Sequence, residues 1–376
     1  MALNCSISKN SLLEGLNSLQ NISNKRGTLA ILANVLIETN SDSLYLTATD
    51  LEVGLKIKIS AEIKESGSLT LPCKTFFEIV RESGSDFINI EETENSWVVI
   101  HAGLSTYNLA GMPCDEFPEF PEFNEETFVS FEAHVFSDII DKIIFSIATE
   151  QENNYVLTSV LFEKEKRDNK SYIKMVSTDG NRLSIMEKDV ATDVDKLILN
   201  KTTLIPKKGI QEFKKFCENR DNVQISFEEK QMVVKDDNSI MVIRLKQGEY
   251  PQYEAIINAV QLQNKIKIDR VPFLESLKRI NLFTEDLFHT IQLEIMNEKM
   301  ILSSQNDKIG NAKDEQAIIY HGEPLTLNFN CRFFIETLQS MESDTVDAYI
   351  NSNNSPCLLK SDIDEGFLSI IMPMQV

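Results

Sequence analysis

Two aspartates invite a catalytic reading. Asp50 lies in TATDLEVGL and Asp179 in STDGNRLSI, each between two apolar runs. Carboxylates in different environments can divide general-acid and general-base work, so the first chemistry to weigh is hydrolysis. The two residues occupy matching places, however: each has a Thr before it and lies between two apolar runs. Asp bonds to backbone NH groups just ahead of it and Gly accepts positive φ, so a hairpin turn explains both without catalysis. Other chemistry finds no footing. The sequence has no GxxxxGKS/T, no GxGxxG, no GxSxG and no HExxH. His101, His134, His289 and His321 stand apart, with no neighbouring ligand at metal spacing. The six cysteines are scattered without a CxxC, the usage of a reduced protein with small buried thiols. Neither a cofactor nor a metal is expected.

Positioning these residues takes a large chain. At 376 residues two or three domains are natural, and a hydrophobic share of 42% fits a soluble globular protein. No apolar run reaches the ~18 residues of a membrane-spanning helix. The start, MALNCSISKNSLLEGL, lacks the basic opening and apolar core of a signal peptide, so a cytoplasmic protein is expected. A net charge of −21 argues against indiscriminate nucleic-acid binding, unless the charge is unevenly spread.

It is uneven. Helical spacing predicts helices near 10–20, 74–82, 135–148, 207–220, 272–283 and 331–341. These six are close to charge-balanced, so the acidic excess falls on strands and loops. They also come in pairs, each pair accompanied by strand-like runs, with a period of roughly 125–135 residues. Pro- and acid-rich MPCDEFPEFPEFNEE and the similar GEYPQYEAIIN read as linkers. Three similar α+β domains are therefore expected, at 1–124, 125–254 and 255–376. The two Asp turns occupy matching places in the first two, and ILSSQNDKIGN echoes them in the third.

The ordered set RGTLAILANVLIE, TATDLEVGL, STDGNRLS, IPKKGI, YPQY and IMPMQV resembles the beta subunit of bacterial DNA polymerase III, the sliding clamp family, over essentially the whole length. The resemblance implies three topologically similar domains and a head-to-tail homodimer in which helices line a hole. Twelve helices at ~9 Å between axes, each of ~5 Å radius, leave a hole of roughly 25 Å, enough for duplex DNA. Threading supplies retention, so an acidic protein needs only weak, sequence-blind phosphate contacts on the inner wall. The implied function is a non-catalytic processivity factor that tethers the replicative polymerase and other DNA enzymes and is loaded by an ATP-using clamp loader. The alternative is a paralogue that binds partner peptides but is not loaded on DNA.

Carried over residue by residue, the resemblance assigns DNA contact to Arg26, Lys74, Gln151, Tyr155 and Lys208, and Lys207 joins Lys208 on the basic helix. A partner-peptide cleft maps onto Leu157, Thr178, Gly180, Asn181, Arg182, Leu183, Pro251, Ile256, Ile371, Met372, Pro373 and Met374. Its Leu, Ile and Met side chains offer apolar burial, and Met adapts to varied ligands. Arg182 is expected to meet a backbone carbonyl or an acidic group of the partner. Tyr107 and Leu109 on an edge strand, with Leu282 and Phe283 at a helix end, match the family's subunit interface.

Overall fold

A computed structural model describes residues 3–23, 29–40, 43–150, 155–200, 202–260, 262–284 and 288–374. Arg26 and Gln151 lie outside the described residues. The fold is α+β, with seven α-helices among the described residues. They are α1 (Lys9–Leu19), α2 (Cys73–Glu82), α3 (Ala133–Ile143), α4 (Lys207–Cys217), α5 (Tyr253–Ala259), α6 (Arg270–Asn281) and α7 (Cys331–Ser340). Six are those expected from apolar spacing. Helix α3 stops short of its predicted end because residues Ile144–Ser146 tighten into a 3₁₀ turn. The seventh, α5, occupies a stretch read as linker. It is one short segment that buries only Tyr253, too brief to show a helical stripe.

The chain forms two compact units. Unit 1 comprises residues 1–131, 196–198 and 211–245, and unit 2 comprises 132–195, 199–210 and 246–376. Unit 1 holds two antiparallel sheets. In the eight-stranded one, Val53–Ser60 pairs on one side with Ser43–Thr49 and on the other with Ser239–Arg244, Val53 lying opposite Ile243. The five-stranded one ends in Ser105–Ala110, which pairs only with Trp97–Ala102. Helices α1 and α2 pack together beneath these strands, burying Leu12, Leu16 and Leu19 against Phe76 and Val80.

Unit 2 is organised on one twelve-stranded sheet. At its middle, Lys170–Thr178 pairs with Arg182–Val190, which pairs in turn with Phe367–Ile371. Helix α3 lies on the first two of these strands. Helices α6 and α7 pack together, with the rings of Phe273 and Phe334 edge to face at 6.0 Å. All six cysteines are free thiols and five are buried. Burial pushes Cys5, Cys217 and Cys331 each up to about 12, so these thiols are inert at neutral pH. Among the described residues no helix is long and apolar enough to cross a membrane, and no group of three or more His, Cys, Asp or Glu is placed to hold a metal.

Candidate functional site

The turn Thr178–Arg182 is closed by its own side chains. Thr178 Oγ1 accepts from Gly180 N at 3.0 Å and donates to Arg182 O at 2.6 Å. Asp179 Oδ1 accepts the Asn181 and Arg182 amides at 2.9 and 3.0 Å. Gly180 sits at φ +91°, a conformation that costs glycine nothing and other residues a good deal. The carboxylate that looked catalytic is thus spent on the turn. Asp50 does the same work in unit 1, accepting the Glu52 and Val53 amides at 3.0 and 2.7 Å.

Around this turn lie Leu157, Leu183, Ile371 and Met372 of the predicted cleft residues. Met372 N donates to Asn181 O at 2.9 Å, which fixes the tail alongside the turn, and Met374 N donates to Asn328 O at 2.7 Å. Leu157 lies beneath Gly180: a Cβ built on the glycine would stand 4.0 Å from Leu157 Cδ1. The floor is one apolar cluster that includes Leu161, Val176, Leu183, Tyr253, Val260 and Ile370, with Val156, Tyr250 and Ile257 packed against it. Pro251 leads into α5 and is exposed, as is Ile256 on that helix. Burial raises the phenols of Tyr250 and Tyr253, so both stay protonated; Tyr250 donates to Val176 O at 3.3 Å and Tyr253 to Glu163 at 2.5 Å. Leu183 and Ile371 are buried in the sheet and form floor, whereas Met372 is 39% exposed and available to a ligand.

Arg182 is turned into the chain. Its side chain is only 9% exposed, and three of its five N–H donors are used inside the chain. Nε donates to Asp179 Oδ2 at 2.9 Å, Nη1 to Glu336 on α7, and Nη2 to the Phe145 carbonyl. The guanidinium also lies 4.4 Å from the Phe333 ring centroid and 5.4 Å from that of Phe145. Within the chain Arg182 thus already meets one backbone carbonyl and two acids.

A second internal tie was not foreseen. Lys142 on α3, its side chain 8% exposed, pairs with Asp364, 1% exposed, and donates to Ser340 O at 2.6 Å. Burial alone would raise the Asp364 carboxyl, but Lys142, Ser361 and the Glu342 and Ser343 amides hold it below the ordinary carboxylate range. Lys142 carried no signal because its partner lies 222 residues away.

The remaining predicted residues are placed separately. Lys74 is exposed in the first turn of α2. Tyr155 is 64% exposed, with Lys246 Nζ 4.2 Å from its ring centroid. Lys207 and Lys208 open α4 and are half-buried, Lys207 donating to Ile147 O at 3.3 Å. Tyr107 and Leu109 share one face of the edge strand Ser105–Ala110 and are half-buried. Leu282 caps α6 and is 72% exposed, with Phe283 half-buried beside it. Sequence reading missed a second edge. Gly310–Ile319 pairs along its length with Lys299–Asn306, but meets Lys265–Asp269 only at Ile318 and Ile319.

Comparison with known proteins accounts for this arrangement. Residues 3–121 match the N-terminal domain of the DNA polymerase III beta subunit, 130–252 its central domain and 260–375 its C-terminal domain. The beta sliding clamp of Chlamydia pneumoniae is 28% identical over 372 residues, 98% of either chain. Among solved structures, a DNA polymerase III beta subunit from Eubacterium rectale is similar with a TM-score of 0.91 at 26% identity. The Bartonella birtlesii sliding clamp, solved with griselimycin, reaches 0.93 at 24%, and both cover 100% of each chain. With the three domain matches spanning nearly the whole sequence in order, the chain belongs to the DNA polymerase III beta-subunit family, the beta sliding clamps.

Proposed function

We propose that two copies of this chain close head to tail around duplex DNA, slide along it, and tether the replicative polymerase through one cleft per subunit. The observation that supports the reading beyond family membership is the Thr178–Arg182 turn, with Leu157 beside Gly180, the Met372 amide bonded to Asn181 O, and the apolar cluster of Leu161, Val176, Leu183 and Ile370 in the strands that flank it. Such a surface binds short apolar peptide segments of several DNA enzymes, and griselimycin as well. The domains are 1–124, 125–254 and 255–376. The protein is non-catalytic and works in the cytoplasm, and a clamp loader using ATP opens the ring.

Retention is topological, so the phosphate contacts of Arg26, Lys74, Gln151, Tyr155, Lys207 and Lys208 are weak and sequence-blind. Tyr107 and Leu109 of one subunit meet Leu282 and Phe283 of the other. The edge at residues 310–317 supplies backbone partners for the Ser105–Ala110 strand, which continues the sheet across the joint.

Loading onto a nicked circular plasmid, followed by linearisation, tests the reading. The protein should stay on the circle and leave the linear form. Failure to stay on the circle would favour an unloaded paralogue, and persistence on linear DNA would refute sliding. Truncation after Ile371 should abolish polymerase binding and leave the dimer mass unchanged.

A further inference from the structure

Helix α5 has little of its own to hold it. Its seven residues are fewer than an isolated helix needs to persist in water, Gln252 supplies no side-chain cap, and no basic residue stands in its last turn. Tyr253, Ile257 and Val260, spaced by four and three residues, turn one face onto the apolar cluster of Leu161, Val176, Leu183 and Ile370. Within the helix itself only Tyr253 is buried, and what its phenol meets is charged. The hydroxyl donates to Glu163 Oε2 at 2.5 Å, and Lys174 Nζ reaches the same oxygen at 2.9 Å. The ammonium also lies 5.3 Å from the centroid of the tyrosine ring. Glu163 and Lys174 stand directly opposite each other on the paired strands Ser159–Arg167 and Lys170–Thr178, so the sheet fixes the ion pair and the ion pair fixes the phenol.

The segment that leads into α5 runs beside the turn at Gly180. Gly248 passes so near Val156, the residue before Leu157, that a Cβ on it would stand 2.7 Å from Val156 Cγ2. Two residues on, Tyr250 donates to Val176 O, and its phenol lies beside the Thr178 backbone. Helix α5 follows directly, with Ile256 exposed on it. We propose that Glu163 and Lys174 are positioning residues for the cleft: through the Tyr253 hydroxyl they hold α5, and with it Ile256, where an apolar side chain of a bound peptide can meet it. Neither charge has to touch the ligand. Its affinity instead scales with the fraction of molecules in which α5 is in place. The proposal rests on the reading of the Gly180 cleft as a ligand site.

Tyr253→Phe keeps the ring in the cluster and leaves Glu163 paired with Lys174, so it strands no charge and should leave the dimer mass unchanged. Losing one hydrogen bond to a charged group shifts a local equilibrium by about tenfold. Calorimetric titration with griselimycin should therefore give a dissociation constant about tenfold higher. Hydrogen-exchange mass spectrometry should show faster exchange across residues 253–260, which added griselimycin suppresses. Lys174→Met should reproduce both effects, and Lys174→Arg, which keeps a cation on Glu163, should restore both. Combining Tyr253→Phe with Lys174→Met should weaken binding no further than the worse single change, because both act through one hydroxyl. Unchanged affinity in Tyr253→Phe, or weakened binding without faster exchange at 253–260, would overturn the positioning role. So would equal losses in Lys174→Arg and Lys174→Met. No binding by the unaltered chain would instead overturn the reading of the Gly180 cleft, and exchange would still decide whether Tyr253 holds α5.

Discussion

Replacing Lys142 by Met should loosen unit 2 between α3 and α7 without touching either proposed binding surface. The lysine's ammonium is buried with Asp364 and the Ser340 carbonyl, and Glu342 lies 3.8 Å away. Breaking a buried ion pair by removing one partner costs about 3–5 kcal/mol. In Lys142→Met the stranded Asp364 still accepts from Glu342 N at 3.0 Å, Ser343 N at 3.2 Å and Ser361 Oγ at 2.6 Å, so the low end, about 3 kcal/mol, applies. Asp364→Asn strands a charge with fewer remaining partners and should cost more, about 4–5 kcal/mol. At 1.4 kcal/mol per decade, the milder change speeds amide exchange through local opening roughly 100-fold. Hydrogen-exchange mass spectrometry over residues 133–143 and 336–343 reads this, while fluorescence of Trp97, the lone tryptophan, reports on unit 1 and should not move. The pH response has a definite sign. Asp364 titrates below the ordinary carboxylate value of about 3.9, so its contribution is whole above that value and is lost as pH falls through the folded one. Asp364→Asn should therefore remove an acid limb that the unaltered chain shows below about pH 4. Exchange in Lys142→Met within about threefold of the unaltered chain would refute the reasoning.

Three further outcomes are expected. Changing Lys207 and Lys208 together to Glu should shorten residence on circular DNA at low salt and flatten the log–log salt slope by about 2, and an unchanged slope would place them away from phosphate. Arg182→Ala should weaken polymerase binding and raise exchange across the 178–182 turn, although the side chain faces inward. Arg182→Lys should not restore either, since an ammonium cannot engage Asp179, Glu336 and the Phe145 carbonyl as a fork does. Leu109→Asp puts a charge in the proposed subunit contact and should give half the dimer mass in sedimentation, whereas an intact dimer would move the interface elsewhere.

Most of the fold was legible where one face of an element is apolar. Leu12, Leu16 and Leu19 of α1, or Phe76 and Val80 of α2, are spaced so that no other local structure buries them together. The repeat was legible because paired amphipathic helices recur at a regular spacing, with Thr-Asp turns in matching places in the first two copies. What escaped had no such face. Gly310–Ile319 alternates half-buried with exposed positions and carries Lys313, Asp314 and Glu315 in a row, so it reads as loop although it is a long strand. Glu62–Glu65 is short, charged and at a sheet edge, and escaped for the same reason. The proposed cleft residues were named from resemblance, but which of them are buried and which exposed needed the pairing of Arg182 with Ile371, which buries that tail residue and leaves Met372 exposed.

Charged residues were the harder case, because residue type and spacing do not say whether a charge is already spent. Asp179 gives one oxygen to two amides and the other to Arg182, which leaves little acceptor capacity for any reaction. Arg182 looked outward because its acidic partner, Glu336, lies 154 residues away and is brought close only by the sheet that joins Arg182–Val190 to Phe367–Ile371. This inward turn has a consequence for binding. With the guanidinium fixed between two rings and three acceptors, the turn and the tail are held in place before any ligand arrives. In the proposed cleft a ligand would then spend little of its binding energy on ordering the site, and affinity would follow from apolar contact with the proposed residues Leu157, Ile256 and Met372. Partners of unrelated sequence can share such a cleft as long as each offers apolar side chains at the right separation, which is the property a tether serving several enzymes requires.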